Sequence, residues 1–186
     1  VASGMAIQKA AAESAVKHVS LELGGKNPFI VCEDANLDDA IKAATNGMNF
    51  GWQGQSCGST SRLIIHRSQY DELSKKGVER VSQVKVGHPL DTSIKMGPVV
   101  SEAQYQKVLN YIQIAKDEGA ELLLGGNPME IEGCPDGFFV EPTVFGNVRS
   151  NMRIAQEEVF GPIMSLMPYD DLDEAIEIAN STTYGL

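Results

Sequence analysis

Cysteine, histidine and aromatic side chains are scarce in this chain of 186 residues, and basic charge is outnumbered. The cysteines Cys32, Cys57 and Cys134 and the histidines His18, His66 and His88 lie far apart, and no two cysteines form a C-x-x-C pair. That spacing argues against a disulfide framework and against a metal site; it fits a reducing, cytoplasmic compartment. Fifteen Lys and Arg against 25 Asp and Glu give a formal net charge of −10. So acidic a chain repels phosphate-rich surfaces, so neither nucleic acid nor an anionic membrane is expected as a partner. No apolar run approaches the ~18 residues of a membrane-spanning helix. Internal repeats and low-complexity tracts are lacking too. What is present is ordinary: 42% hydrophobic and 22% charged residues, in a length that can bury a sizeable core.

Strand and helix signals alternate along that length. Apolar spacing predicts a helix over residues 4–17 with Ser3 as its N-cap. Phe29–Cys32 reads as a buried strand. A helix from Leu37 toward Asn49 follows, capped by Asn36 and with acids in its first turn. Residues 62–66 read as a strand, and Ser68 as the cap of a helix reaching about Gln83. Between Ser101 and Glu118, Val108, Tyr111, Ile112 and Ala115 recur at helical spacing. Further strands are expected at 121–124, 138–140, 143–145 and 163–167, with loop over 127–137 and a last helix at 172–180. This alternation predicts an α/β fold in three layers, with a mostly parallel sheet covered by helices on both faces.

Three short stretches stand outside that pattern. In Gly54-Gln55-Ser56-Cys57-Gly58-Ser59-Thr60-Ser61 a cysteine sits among small residues, where the backbone turns tightly and a ligand can come close. It is either a small hydrophobe in a loop or a nucleophile. If residues 56–61 open a short helix, its N–H groups favour the thiolate. In Leu21-Glu22-Leu23-Gly24-Gly25-Lys26 a carboxylate stands between two leucines. Partial burial there raises its proton affinity toward that of a general base; the plain alternative is a surface acid, and Lys26 reads as a strand-end charge. In Glu157-Glu158-Val159-Phe160-Gly161-Pro162 two acids and an aromatic precede a Gly-Pro corner. That is either a solvated helix end or a carboxylate for ribose hydroxyls beside a ring that packs on a flat ligand.

The three stretches, in this order, resemble the aldehyde dehydrogenase superfamily. Gly87-His88-Pro89-Leu90, Met96-Gly97-Pro98 and Ala179-Asn180 through Tyr184-Gly185-Leu186 extend the resemblance over essentially the whole chain. It implies oxidation of a small-molecule aldehyde to a carboxylic acid with NAD or NADP. In that family Cys57 would be the nucleophile, its backbone N–H one oxyanion donor, and Glu22 the group that activates the hydrolytic water. Glu158 would hold the nicotinamide ribose with Phe160 near the nicotinamide. Leu23, Gly24, Gln104 and Lys107 would also border the cofactor, with Gly4 and Ser3 near its adenosine half. Phe50, Trp52, Ser56 and Ser59 would flank the aldehyde; Trp52 either packs, the favoured reading, or faces a cationic, betaine-type aldehyde. The resemblance further implies a helix of a cofactor domain over 1–20, a catalytic domain over 21–186, and a homodimer or homotetramer for a longer protein of which this is a piece. The piece alone would then be inactive or nearly so. Two other readings stay open: a CoA-acylating relative, disfavoured by Glu22, and a non-catalytic structural relative, disfavoured by Glu22 and Cys57 together.

Overall fold

Apolar side chains on the strands alternate between two directions, and that alternation divides the core in two. A computed structural model describes all 186 residues. Its main sheet has the spatial order β1 (Pro28–Val31), β2 (Arg62–His66), β7 (Ile163–Tyr169), β6 (Thr143–Gly146), β3 (Glu121–Leu124). β1, β2, β7 and β6 are parallel, and β3 runs antiparallel along β6 at the edge. Leu63, Ile65, Val144, Met164 and Leu166 face one side, with Ile41 and Ala44 of α2 (Leu37–Gly47) and Leu73 and Val81 of α3 (Tyr70–Ser82). Ile64, Phe145, Ile163 and Met167 face the other, against α4 (Glu102–Asp117), α5 (Arg153–Gln156) and α6 (Leu172–Asn180). The period of two in the strands therefore makes the three-layer αβα arrangement expected from the sequence. Leu63, Ile64 and Ile65 are fully buried; each contributes about 1.5–3 kcal/mol of apolar transfer.

Helix starts follow side-chain chemistry closely. Asn36 Oδ1 accepts the N–H groups of Asp38 and Asp39, both at 3.1 Å. Ser101 Oγ accepts that of Gln104 at 3.3 Å, and Asp171 Oδ1 that of Glu174 at 2.9 Å. Each satisfies donors that the first helical turn leaves unpaired. The four residues expected on the inner stripe of α4, Val108, Tyr111, Ile112 and Ala115, are its buried ones.

Four local expectations are corrected. Helix α1 spans Ala2–Ser14, so Ser3 lies inside its first turn and Val1 stands at the cap position without a side-chain bond. Ser68 does not cap α3. A 3-10 turn over Arg67–Gln69 comes first, and the His66 ring accepts the Ser68 N–H. Part of the expected loop at 127–137 is a strand, β4 (Pro128–Met129), antiparallel to β5 (Phe139–Val140). Helix α5 was not foreseen, because four residues are too few to show a helical stripe. No helix is long and apolar enough to cross a membrane.

Candidate active site

The three irregular stretches lead into β1, β2 and β7 and meet at the N-terminal ends of those strands. Residues 15–27 have no regular structure, which lets Gly24 and Gly25 lie flat against two other loops. The Gly25 N–H donates to Glu158 Oε1 at 2.9 Å. A Cβ on Gly24 would fall 2.7 Å from Glu158 Oε2, and one on Gly25 would collide with the carbonyl oxygen of Cys57. Asn27 Nδ2 then donates to the carbonyls of Cys57 (2.5 Å) and Ser59 (3.2 Å), tying the glutamate stretch to the cysteine loop. On the far side of that loop, Gly54 (φ +66°) packs so closely on the Gly161 carbonyl that a side chain has no room.

Cys57 sits at a turn, half-buried, and its N–H has no acceptor within the chain. No helix opens over 56–61, so the thiolate receives no helix dipole from this segment. The Ser56 hydroxyl accepts the Gly58 N–H at 3.2 Å, and Ser59, buried, donates its hydroxyl to the Gly54 carbonyl at 3.4 Å. Both serines therefore shape the loop. Ser56 and Ser59 also line a small cavity with Lys26, Glu158, Val159 and Phe160.

Glu22 departs from expectation. Leu21 and Leu23 lean on α1, where a Cβ on Gly4 would lie 3.0 Å from Leu23. The extended backbone sends the intervening carboxylate the other way, and Glu22 is exposed rather than partly buried. Gly4 thus serves the docking of α1 on the Leu21–Leu23 stretch. Gln104 donates its amide to the carbonyls of Val159 (3.0 Å) and Phe160 (2.7 Å). It fixes the turn in which Phe160 holds an unusual φ of 58°. Lys107, half-buried, lies 6.0 Å from the centre of the Tyr111 ring. Of the residues expected around the aldehyde, Phe50 belongs to the core, only 4% exposed. Trp52 is 66% exposed and borders a polar depression with Arg80 and Lys95, which makes a poor setting for a cationic group.

Three features of the site carry no obvious sequence signal. Lys26 is buried at 2% exposure. Burial and the neighbouring Arg62 pull its ammonium down to about 7, while Glu158 and Glu157 act in the opposite direction. Glu157, next to Glu158, accepts from Arg153 at 2.9 Å and from the Tyr111 hydroxyl at 2.5 Å. Those bonds hold its carboxyl near 2, and push the Tyr111 phenol, already raised by burial, to about 12. The third is Arg62, which directly follows the cysteine stretch. Its side chain reaches the carbonyls of Lys26, Ile178 and Ala179.

Gly25→Ala tests this packing directly. The added methyl meets main chain, which cannot rotate away, so the Gly25–Cys57 approach must open. We expect turnover to fall at least ~100-fold, as displacement of reacting groups by about 1 Å does, with the thermal midpoint only modestly lowered. Steady-state rates beside a melting curve check both halves.

The profile of the aldehyde dehydrogenase family matches residues 1–186. A betaine aldehyde dehydrogenase of Mesorhizobium japonicum is 47% identical over 175 residues, covering 94% of this chain and 36% of the relative. Aldehyde dehydrogenase 1A1 of Oryctolagus cuniculus is 46% identical over 183 residues, covering 98% of the chain and 36% of the relative. Among solved structures, an NAD+ complex of aldehyde dehydrogenase from Bacillus cereus superposes with a TM-score of 0.91 at 42% identity, over 100% of this chain and 36% of that one. Betaine aldehyde dehydrogenase from Staphylococcus aureus in complex with NAD+ also gives 0.91, at 40% identity, over 99% of this chain and 36% of that one. The chain thus spans little more than a third of the length of these relatives. Sequence and fold agree along the whole of it, and the chain belongs to the aldehyde dehydrogenase family.

Proposed function

We propose that this chain carries the nucleophile, the hydrolytic carboxylate and the ribose-binding carboxylate of an NAD(P)-dependent aldehyde dehydrogenase that releases carboxylic acids. The observation that carries the reading is the convergence of the three loops: Gly25 bonds Glu158 and abuts the Cys57 carbonyl, while Asn27 bridges Cys57 and Ser59.

The Cys57 thiolate adds to the aldehyde carbonyl, forming a C–S bond and an oxyanion. The unpaired Cys57 N–H is available to that oxyanion. NAD(P)+, when bound, supplies the hydride acceptor that turns the resulting thiohemiacetal into a thioester. Glu22 takes a proton from water, the water oxygen adds to the thioester carbonyl, and the C–S bond breaks to return the thiolate and release the acid. The exposed position of Glu22 leaves it accessible to that water.

The residues present fit a dinucleotide. Glu158 stands over Gly24, a cradle that any side chain would fill. Glu158 would take the ribose hydroxyls, Phe160 would flank the nicotinamide, and Gln104 and Lys107 would border them, Gln104 by holding the Phe160 turn. Leu23 and Gly4 set the path of the loop beside α1. In this reading residues 1–20 belong to a cofactor domain and 21–186 to a catalytic domain, in a cytoplasmic homodimer or homotetramer, and the 186 residues alone turn over little.

The test is aldehyde-dependent NADH or NADPH formation by a full-length protein carrying this chain, with the product identified. Carboxylic acid formed without CoA supports the reading. Acyl-CoA formed only when CoA is present, or no reduction of either dinucleotide across an aldehyde panel, overturns it.

A further inference from the structure

Lys26 follows the two glycines that form the floor of the site, and its side chain turns inward. It is 2% exposed and lines the small cavity that holds Ser56, Ser59, Glu158 and Phe160. Its backbone is fixed at both ends. The N–H donates to the Leu186 carbonyl at 2.9 Å, and the carbonyl accepts from Arg62 Nε at 2.9 Å. The charged groups around it come from every side: Arg62 on β2, Lys107 on α4, and Glu157 and Glu158 after α5. Glu157 is held by Arg153 and Tyr111, whereas Glu158 has a single bond, to the Gly25 N–H. A buried lysine and a carboxylate held by one bond therefore line the same small cavity.

We propose that Lys26 is a positioning residue for Glu158: its ammonium helps aim that carboxylate out of the Gly24-Gly25 cradle, and so couples dinucleotide affinity to the charge of one buried lysine. The proposal rests on the reading of Glu158 as the ribose-binding group. The chemistry sets its sign. Burial and Arg62 bring the Lys26 ammonium to about 7, so the charge is present in mild acid and lost as pH rises through neutrality. Affinity for the dinucleotide follows that loss.

The experiment titrates NAD+, without aldehyde, into the full-length protein between pH 6 and 8.5 and follows Kd calorimetrically. The wild-type Kd is expected to rise about three- to tenfold across that range, the change that roughly 0.7–1.4 kcal/mol of electrostatic support produces. Lys26→Met should bind with the weak, high-pH Kd at every pH. Lys26→Arg, whose charge does not titrate here, should keep the tight Kd at every pH. A flat wild-type profile, or a Lys26→Met variant that keeps the wild-type slope, overturns the proposal. Where Lys26→Met fails to fold, the wild-type and Lys26→Arg profiles decide, since a slope that survives in Lys26→Arg belongs to another group. Glu158→Gln separates the two levels. If it leaves NAD+ affinity unchanged, the reading of Glu158 falls; if it weakens binding while Lys26→Met matches wild type at every pH, only the role of the lysine falls.

Discussion

Cys57→Ala should abolish aldehyde oxidation, with kcat down on the order of 10⁴-fold or more, while Kd for NAD+ and the melting curve stay at wild-type values. The separation follows from how the residue is held. Its structural bonds run through the backbone: the Cys57 carbonyl accepts from Asn27, and Gly25 packs against that same oxygen. The thiol is half-buried at a turn and belongs to neither core cluster, so its removal leaves no large void. Alanine retains the carbonyl, the N–H and the loop, and deletes only the group that forms the C–S bond. Serine keeps a hydroxyl there, but one far less acidic than a thiol, so it should fail nearly as completely. Limited alkylation at neutral pH gives an independent reading. Cys32 is exposed, yet Cys57 should react faster, and bound NAD+ should alter its rate alone. Turnover by Cys57→Ala within tenfold of wild type, or alkylation of Cys57 no faster than that of Cys32 and Cys134, would remove it as the nucleophile.

How far the sequence specifies this site can be judged residue by residue. Strands β2 and β3 and helix α6 fall where apolar spacing puts them, because local pattern and tertiary burial agree there. Asn36 and Ser101 cap their helices as short-range chemistry requires. The meeting of residues 22–27, 54–59 and 157–162 is not local, and only the family resemblance connects them in advance. Glu22 and Lys26 depart from expectation for one reason: immediate neighbours suggest an exposure that packing from distant elements decides instead. Leucines flanking Glu22 do not bury it, because they turn toward α1. Phe50 is drawn into the α2–α3 core, leaving Trp52 outside on a short 3-10 turn bracketed by Asn49 and Gln53, both at positive φ. Lys26 ends up inside because Arg62 and Leu186 clasp its backbone. Spacing along one segment carries no record of such clasps.

Arg62 is the clearest of them, and Arg62→Leu should cost about 3–5 kcal/mol of stability. Its guanidinium is 1% exposed and bonds three carbonyls: Lys26 at 2.9 Å, Ile178 at 2.7 Å and Ala179 at 2.9 Å. Two of those belong to the last turn of α6, where a cation both caps the helix and opposes its dipole. Burial lowers the guanidinium to about 10, which still leaves it protonated at neutral pH. Leucine fills similar space but strands three acceptors away from water. Lysine keeps the charge with a single point donor and cannot span the fork from the Lys26 carbonyl to α6, so Arg62→Lys should recover only part of the loss. The damage should be regional. Hydrogen exchange in the full-length protein should show peptides across residues 24–30 and 174–186 losing protection together, with α2 and α3 unchanged. Catalysis should suffer with them, because the carbonyl that Arg62 releases is that of Lys26, one residue from the glycine lying on Cys57. A variant that melts within 1 °C of wild type and keeps that protection would show that the three bonds hold nothing in place. Loss confined to α6, with full activity, would cut the link drawn between the fold and the Gly25–Cys57 contact.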